Sequence, residues 1–588
     1  MIQLKAKPSL LKTSATISPL DLLSGLIVIA VAVYFLAPGN WEPGGESLKN
    51  WVGARIFRET GGFPVISFGP LYNLYLQIFL SFPYPLSIQL EHAVTHLAAY
   101  VALLVLLRRF LPQWPALVLL CAWIPVLYTV EGGARVAGIG CLALYLARDT
   151  DSPWCRGWVP VPLFCAALFD VAFIPFLGGH VVGTAVLRLR NNQPLWTGIP
   201  RLESDKWAPW LAKAFLVALI VATAFFQSPR PDNNIHGFEY PWAPVPLKNA
   251  LTASSIQVAN GKYVISHYPE SQRMYKDWYE TNNEAFGGAQ TLWSAIRYNP
   301  GLYLRSILTE ARVIIVSPAQ FLISFQQTPT VRWLLKPPLL LLMTLGGYWA
   351  LRRYWSCDEA VKAFSLGIGT VGVATGLTLV YFSTRYIMVL LPFWLLAAVH
   401  VGPGLRSLGA VARRGSLEEA PYRKESSALD LGVIYAIAFL VFTAAQPSPW
   451  VMGENLLQRN PYELRGNLWR ERGPLLESLG RGKRVLAMEE AWIRTFADVD
   501  IEKVYNPLYL PPFKDATGDT ERFLENLDVI WVNDAWTRPI AQLGTQGYLR
   551  YYLHVEPFLR RAVDQGWTRE DVPGFGQIYK RPVDLKHG

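Results

Sequence analysis

Apolar stretches of roughly 16 to 22 residues recur along the first three quarters of the chain, close to the ~20 that cross a bilayer as a helix. The pattern predicts about 11 spans: Leu20 to Leu36, Leu86 to Leu107, Pro115 to Val130, Val136 to Ala147, two within Val159 to Leu187, Trp210 to Phe226, Trp333 to Leu351, Ala363 to Phe382, Ile387 to Val401 and Leu431 to Ala445. The run from Val159 to Leu187 is predicted to turn at Gly178-Gly179-His180. Basic residues follow alternate spans, at Arg108-Arg109, Arg148 and Arg156, Arg188 to Lys213, Arg352-Arg353, and Arg406 to Lys424. Cytoplasmic loops carry such an excess, and Lys5, Lys7 and Lys12 place the chain start on the same side. The chain is therefore expected to run N-in and C-out.

After Pro447 the pattern changes to alternating strands and helices. Arg484 to Met488, Asp528 to Val532 and Phe575 to Tyr579 predict strands; Pro474 to Leu479, Thr520 to Leu527 and Tyr548 to Gln565 predict helices. The expected fold class is a polytopic α-helical membrane protein with external surface helices and a C-terminal soluble α/β domain. The membrane part spans residues 1–446, with external loops at 37–85 and 227–332, and the soluble part spans 447–588. Gly480-Arg-Gly482-Lys precedes a strand, whereas a dinucleotide fingerprint has its glycines after one.

Composition agrees with a membrane home. Of 588 residues, 52% are hydrophobic and 17% charged, against about 25% charged in soluble domains. The net charge of +10 collects in the short loops between spans, so nucleic acid is not an expected partner. Cys121, Cys141, Cys155, Cys165 and Cys357 lie in or beside spans without paired ligand spacing, which predicts neither a disulfide framework nor a cysteine metal site. No small-residue cleavage site follows Leu36, so the first apolar run is read as an uncleaved span. The chain has no N-x-S/T sequon, which favours a bacterial inner membrane, with the C-terminal domain periplasmic.

The first external loop, Glu46 to Tyr72, carries a distinct pattern. Leu48, Trp51, Val52 and Ile56 fall on one helical face, Lys49, Arg55 and Arg58 lie elsewhere, and Gly44-Gly45 and Gly61-Gly62 bracket the segment. It predicts a short helix lying on a membrane surface. A proline-punctuated return, Phe63-Pro64 to Gly69-Pro70-Leu71-Tyr72, comes next. In its order of span, acidic residue, surface helix, Gly-Gly-x-Pro and Pro-Leu-Tyr, the loop resembles that of the polytopic glycosyltransferases of the GT-C type that use polyprenyl-phosphate sugars. The protein mannosyltransferases and the lipid A aminoarabinose transferase are examples. The resemblance extends loosely over the membrane domain through Glu131 to Leu146, Arg297 to Leu304 and Arg385 to Pro392.

The charge topology puts Glu46, Glu131 and Arg385 near one outer face. A transferase using a lipid-phosphate sugar needs a carboxylate to take the acceptor hydroxyl proton and cations to stabilise the departing phosphate. Glu46 is the candidate base, with Glu42 its rival; the family usually carries Asp there, and a carboxylate at a helix start also complements the helix dipole. Glu131 matches an acidic residue after the third span, or pairs with Arg135 at i+4. Arg385-Tyr386 resembles the family's RY…P segment, where a guanidinium suits phosphate; an arginine also anchors span ends among headgroups. Arg55 is a second phosphate candidate. His180, His236 and His267 are outer-face groups that could touch phosphate or sugar. Glu91, His92 and His96 sit at the outer end of the second span, facing a cavity or headgroups, and Asp170 reads as a hydrogen-bonded helix contact. Two carboxylates can bind a divalent cation, but oxygen sites need more ligands, so no cofactor or metal is assigned.

The resemblance implies an integral-membrane glycosyltransferase moving a sugar from a polyprenyl-phosphate donor, by direct inverting displacement, to a glycan, lipid or protein acceptor on the outer face. Membrane lipids are its other partners. The rival reading is a lipid-linked glycan flippase or transporter, which would be expected to show internal repeats and broken helices meeting at mid-membrane; no repeat stands out, and the polar groups gather at the outer surface.

Overall fold

The computed structural model describes residues 45–63, 69–82, 86–128, 133–148, 158–192, 292–301, 329–356, 359–379, 388–414, 428–445, 482–487, 503–505, 519–533, 554–572 and 576–582, with strand segments at 256–259 and 262–265 and a few single positions between. The helices are α1 (Gly45–Thr60), α2 (Pro70–Phe79), α3 (Leu86–Arg108), α4 (Gln113–Tyr128), α5 (Gly133–Ala147), α6 (Pro160–Phe169), α7 (Ile174–Arg190), α8 (Leu292–Tyr298), α9 (Pro329–Ser356), α10 (Ala360–Leu379), α11 (Leu391–Arg414), α12 (Ala428–Ala445), α13 (Asp519–Glu525) and α14 (Glu556–Asp564). Among the described residues three stretches are long and apolar enough to cross a membrane: Leu86–Arg108, Val171–Arg190 and Met388–Arg406. Gln113–Trp123, Gly133–Ala147, Pro160–Phe169 and Ala360–Gly376 are shorter apolar helices. The expected first span lies almost wholly, and the seventh mostly, outside the described residues.

Contacts define two ends of the helix set. At one, the starts of α3 and α5 meet α2, and the end of α6 lies beside them. At the other, Arg109 donates to the carbonyl oxygens of Leu146 (2.9 Å) and Arg148 (3.2 Å) and to Glu359 Oε2 (2.6 Å). Lys362 joins it, donating to the Leu146 carbonyl (3.3 Å), the Arg148 carbonyl and Glu359 Oε1 (3.0 Å), and Tyr354 donates to Leu146 (3.1 Å). These cations satisfy the last carbonyls of α5, the negative end of its dipole. Between the ends lies a core of Leu, Ala, Val and aromatic side chains from α3, α4, α5, α6, α9, α10, α11 and α12, with Trp123 and Trp394 rings 6.3 Å apart.

The turn expected at Gly178-Gly179-His180 is elsewhere. α7 runs unbroken through those residues, and the break between helices falls at Asp170, in an extended conformation (φ −146, ψ 131) between α6 and a single 3-10 turn, Val171–Phe173. Its N–H closes α6 on the Ala166 carbonyl (3.0 Å), and its carboxylate accepts from Ala172 N (2.9 Å), capping the 3-10 turn that leads into α7. Gly179 serves packing, whereas Gly178 faces open space. A Cβ at Gly179 or Gly183 would strike Phe364 and Ser365 of α10, and small residues are what let apolar helices approach this closely. α11 likewise runs past the expected end at Val401, through Pro403 to Arg414, because apolarity marks the membrane-facing length and not the helix end.

The C-terminal region has its own core, built from Leu486, Leu524, Leu527, Ile530, Phe558, Leu559, Trp567 and their neighbours. The sheet has strand order β4-β3-β5-β7-β6: β3 (Val485–Ala487) lies parallel to β4 (Val504–Tyr505) and β5 (Val529–Val532), and β5 pairs antiparallel with β7 (Gly576–Lys580). β6 (Thr568–Val572) closes the edge as a hairpin with β7. β1 (Ile256–Ala259) and β2 (Lys262–Ile265) form a separate antiparallel pair.

Candidate functional site

α1 carries the first of the candidate residues, and its sequence sets its position. Gly61, at φ +70, ends the helix by donating its N–H to the Phe57 carbonyl at 2.8 Å, a left-handed cap that suits glycine. Trp51, Val52 and Ile56 are buried, as their helical spacing predicts, and Ala54 is buried with them. Trp51 and Ala54 pack with Tyr72, Leu76 and Phe79 of α2, Ile88 of α3 and Ala134 of α5, and Gln77 donates to the Ala54 carbonyl at 2.9 Å. Glu46 falls in the first turn, with its side chain outside the described residues. Arg55 is held by Glu59 (2.8 Å) and donates to the carbonyl of Val499 in the C-terminal region at 3.3 Å. Arg58 donates to the Leu80 carbonyl at 3.1 Å.

Beneath α1, two tyrosines of α2 meet α3. Tyr72 donates its hydroxyl to Glu91 Oε1 at 2.6 Å, Thr95 donates to the same oxygen at 2.8 Å, and the Tyr75 and Thr95 hydroxyls are 3.0 Å apart. Burial, and then the Glu91 charge, push the Tyr72 phenol well above its ordinary value, so it remains a donor. α2 is aimed at this place by Gly69, whose φ of +101 and close approach to the Leu168 and Phe169 carbonyls leave no room for a Cβ. Gly133, the first residue of α5, lies against the same pair: a Cβ there would meet the Tyr72 hydroxyl and Glu91 Oε1. Tyr72 also sits edge-on to Phe169 at 6.2 Å, which brings the end of α6 to the cluster.

One turn into α5, Arg135 pairs with Asp170 at 3.1 Å, both side chains 1% exposed. Asp170 is thus a helix contact, and Arg135, the expected i+4 partner of Glu131, has a carboxylate partner from another helix. The His92 and His96 rings are 3.8 Å apart and tilted by 50°, with His96 Nδ1 2.9 Å from the His92 carbonyl. His180 lies within α7 instead of in an outer turn, its Nδ1 2.9 Å from the Tyr145 hydroxyl of α5. Glu42, Glu131, Arg385, Tyr386, His236 and His267 lie outside the described residues. Among the described residues no group of three or more His, Cys, Asp or Glu side chains could hold a metal ion.

Sequence reasoning placed Glu91 at the outer end of its span but missed its partners. Tyr72, Thr95 and Gly133 look ordinary singly; the available signal was a carboxylate inside an apolar stretch, which in a membrane is expensive unless paired.

No protein-family model matches the chain, and no curated protein matches it. Among solved structures the chain is similar to the oligosaccharyltransferase of Archaeoglobus fulgidus, tethered with an acceptor peptide containing the NVT sequon: 12% identity, 96% of this chain and 74% of that chain covered, TM-score 0.41. The same figures hold for the archaeal oligosaccharyltransferase from that organism in complex with an inhibitory peptide and a dolichol-phosphate. The apo form of the A. fulgidus enzyme is 11% identical at the same coverage and score. A likeness at this score sets neither the fold nor the chemistry of the present chain.

Proposed function

We propose that this chain is an integral-membrane glycosyltransferase that moves a sugar from a polyprenyl-phosphate donor to an acceptor on the periplasmic face of a bacterial inner membrane. Residues 1–446 form the catalytic membrane domain, and 447–588 a periplasmic domain. The observation that carries the reading is the packing of α1 on the start of α5. Trp51 and Ala54 of the helix whose first turn holds Glu46 lie in one cluster with Ala134, three residues after Glu131. The helix that carries Glu46 and the helix that follows Glu131 in sequence thus meet at one end of the helix set.

In this reading the Glu46 carboxylate accepts the acceptor hydroxyl proton as that oxygen bonds to the anomeric carbon. The bond from that carbon to the phosphate oxygen breaks, and polyprenyl phosphate leaves with the electron pair. Arg385 and Tyr386 meet the phosphate, with Arg55 nearby, and Glu131 orients the acceptor; Glu42, His236 and His267 are further contacts to test. The sugar and acceptor are open, and glycan, lipid and protein acceptors all fit. The test is sugar transfer from radiolabelled undecaprenyl-phosphate hexoses and pentoses in membranes holding wild type or Glu46→Gln. Label should enter cellular glycan, lipid or protein with wild type and fall by about 10²-fold or more in the variant, within the usual range for loss of a general base. Equal transfer by both removes Glu46 as the base.

A further inference from the structure

We propose that Glu91, acting through Tyr72, is a positioning residue that sets the helix carrying Glu46 against the starts of α3 and α5. The inference rests on the transferase reading above. α1 and α2 behave as one unit, joined by the Trp51–Tyr72–Leu76 contacts and by Gln77 on the Ala54 carbonyl (2.9 Å). That unit is tied to α3 by two hydroxyls of α2, Tyr72 on Glu91 (2.6 Å) and Tyr75 on Thr95 (3.0 Å), with Thr95 closing the set on Glu91 (2.8 Å). The i,i+4 spacing of Glu91 and Thr95 puts both on one face of α3. The same hydrogen bond also registers α5. A Cβ at Gly133 would meet the Tyr72 hydroxyl and Glu91 Oε1, so the hydrogen-bonded pair lies directly against the first residue of α5. A shift of Tyr72 from Glu91 therefore moves the α1–α2 unit, with Glu46 in the first turn of α1, relative to α3, and a displacement of about 1 Å at a reacting group costs on the order of 10²-fold in rate.

Glu91 Oε1 is used as a hydrogen-bond acceptor, which a glutamine carbonyl reproduces and a leucine does not. The full-length protein in lipid nanodiscs is assayed with the undecaprenyl-phosphate sugars above, measuring kcat and donor KM for wild type, Glu46→Gln, Tyr72→Phe, Glu91→Gln and Glu91→Leu. Tyr72→Phe, nearly isosteric, should lower kcat about tenfold, as expected for one hydrogen bond to a carboxylate, with KM changed by less than about twofold. Glu91→Gln should stay within about threefold of wild type, and Glu91→Leu should fall at least as far as Tyr72→Phe. An unchanged kcat in Tyr72→Phe overturns the role. So does a collapse of Glu91→Gln to the level of Glu46→Gln, which would make Glu91 a proton-transfer group. Failure of the transferase reading is distinguishable, because it appears as no transfer by the wild type with any donor, whatever the variants do.

Discussion

Removing Asp170 should cost more than any single surface change in this protein. Its carboxylate pairs with Arg135 at 3.1 Å with both side chains 1% exposed, and it caps the turn into α7 through Ala172 N at 2.9 Å. Breaking a buried ion pair by deleting one partner costs about 3–5 kcal/mol, because the other charge stays in a poor solvent. Loss of the cap adds about 1 kcal/mol. Arg135 has further contacts, so the lower end applies, and Asp170→Leu should lose about 3–4 kcal/mol. Arg135→Met should lose about 3 kcal/mol for the same reason. The double variant replaces the pair by apolar groups, which is often nearly neutral, so about 1 kcal/mol remains, mostly the cap. The assay is equilibrium unfolding of the purified protein in mixed micelles of increasing dodecyl sulfate fraction, tracked by circular dichroism. A cycle that is additive within about 0.5 kcal/mol would refute the coupling.

At the opposite end, Glu359→Leu leaves Arg109 and the buried Lys362 without their shared carboxylate and should destabilise by about 3 kcal/mol in the same assay; a loss below about 1 kcal/mol contradicts it. Gly346→Leu forces a side chain into the Ala397 backbone where α9 crosses α11, costing about 1–3 kcal/mol or preventing folding, read as a lowered melting temperature. Arg55→Ala removes the hydrogen bond to the Val499 carbonyl; limited proteolysis should then release the C-terminal region a few-fold faster, as expected for losing ~1 kcal/mol of contact, and an unchanged cleavage rate contradicts a docking role for Arg55.

Much of the helical framework was legible because apolar length is a strong signal. Leu86 to Leu107 against α3, Ala363 to Phe382 against α10, and Leu431 to Ala445 against α12 differ only at their ends. The Glu46 loop was legible as a helix because its apolar spacing and Gly61 act locally. What failed was local punctuation overruled by packing: Gly178-Gly179 resembled a turn but lies within α7, where Gly179 fits against α10, while Asp170, which reads as a hydrogen-bonded helix contact, also marks the break between α6 and the turn into α7. β6 was missed because Thr-Arg-Glu-Asp-Val is an edge strand stabilised by cross-strand pairs such as Lys580–Glu570 (2.6 Å), not by burial. The Tyr72–Glu91–Gly133 cluster joins residues from three separate helices, and no local pattern marks contacts that only the fold creates.

The central claim is chemical: the bond between sugar and lipid phosphate is broken. Purified protein in nanodiscs is given a radiolabelled undecaprenyl-phosphate sugar and a membrane extract as acceptor, and the lipid is monitored by mass spectrometry. Polyprenyl phosphate should appear in equal amount to glycosylated product, and only with wild type, not with Glu46→Gln. Donor that stays intact throughout, while proteoliposomes show it crossing from one leaflet to the other, would contradict the account and make the protein a flippase.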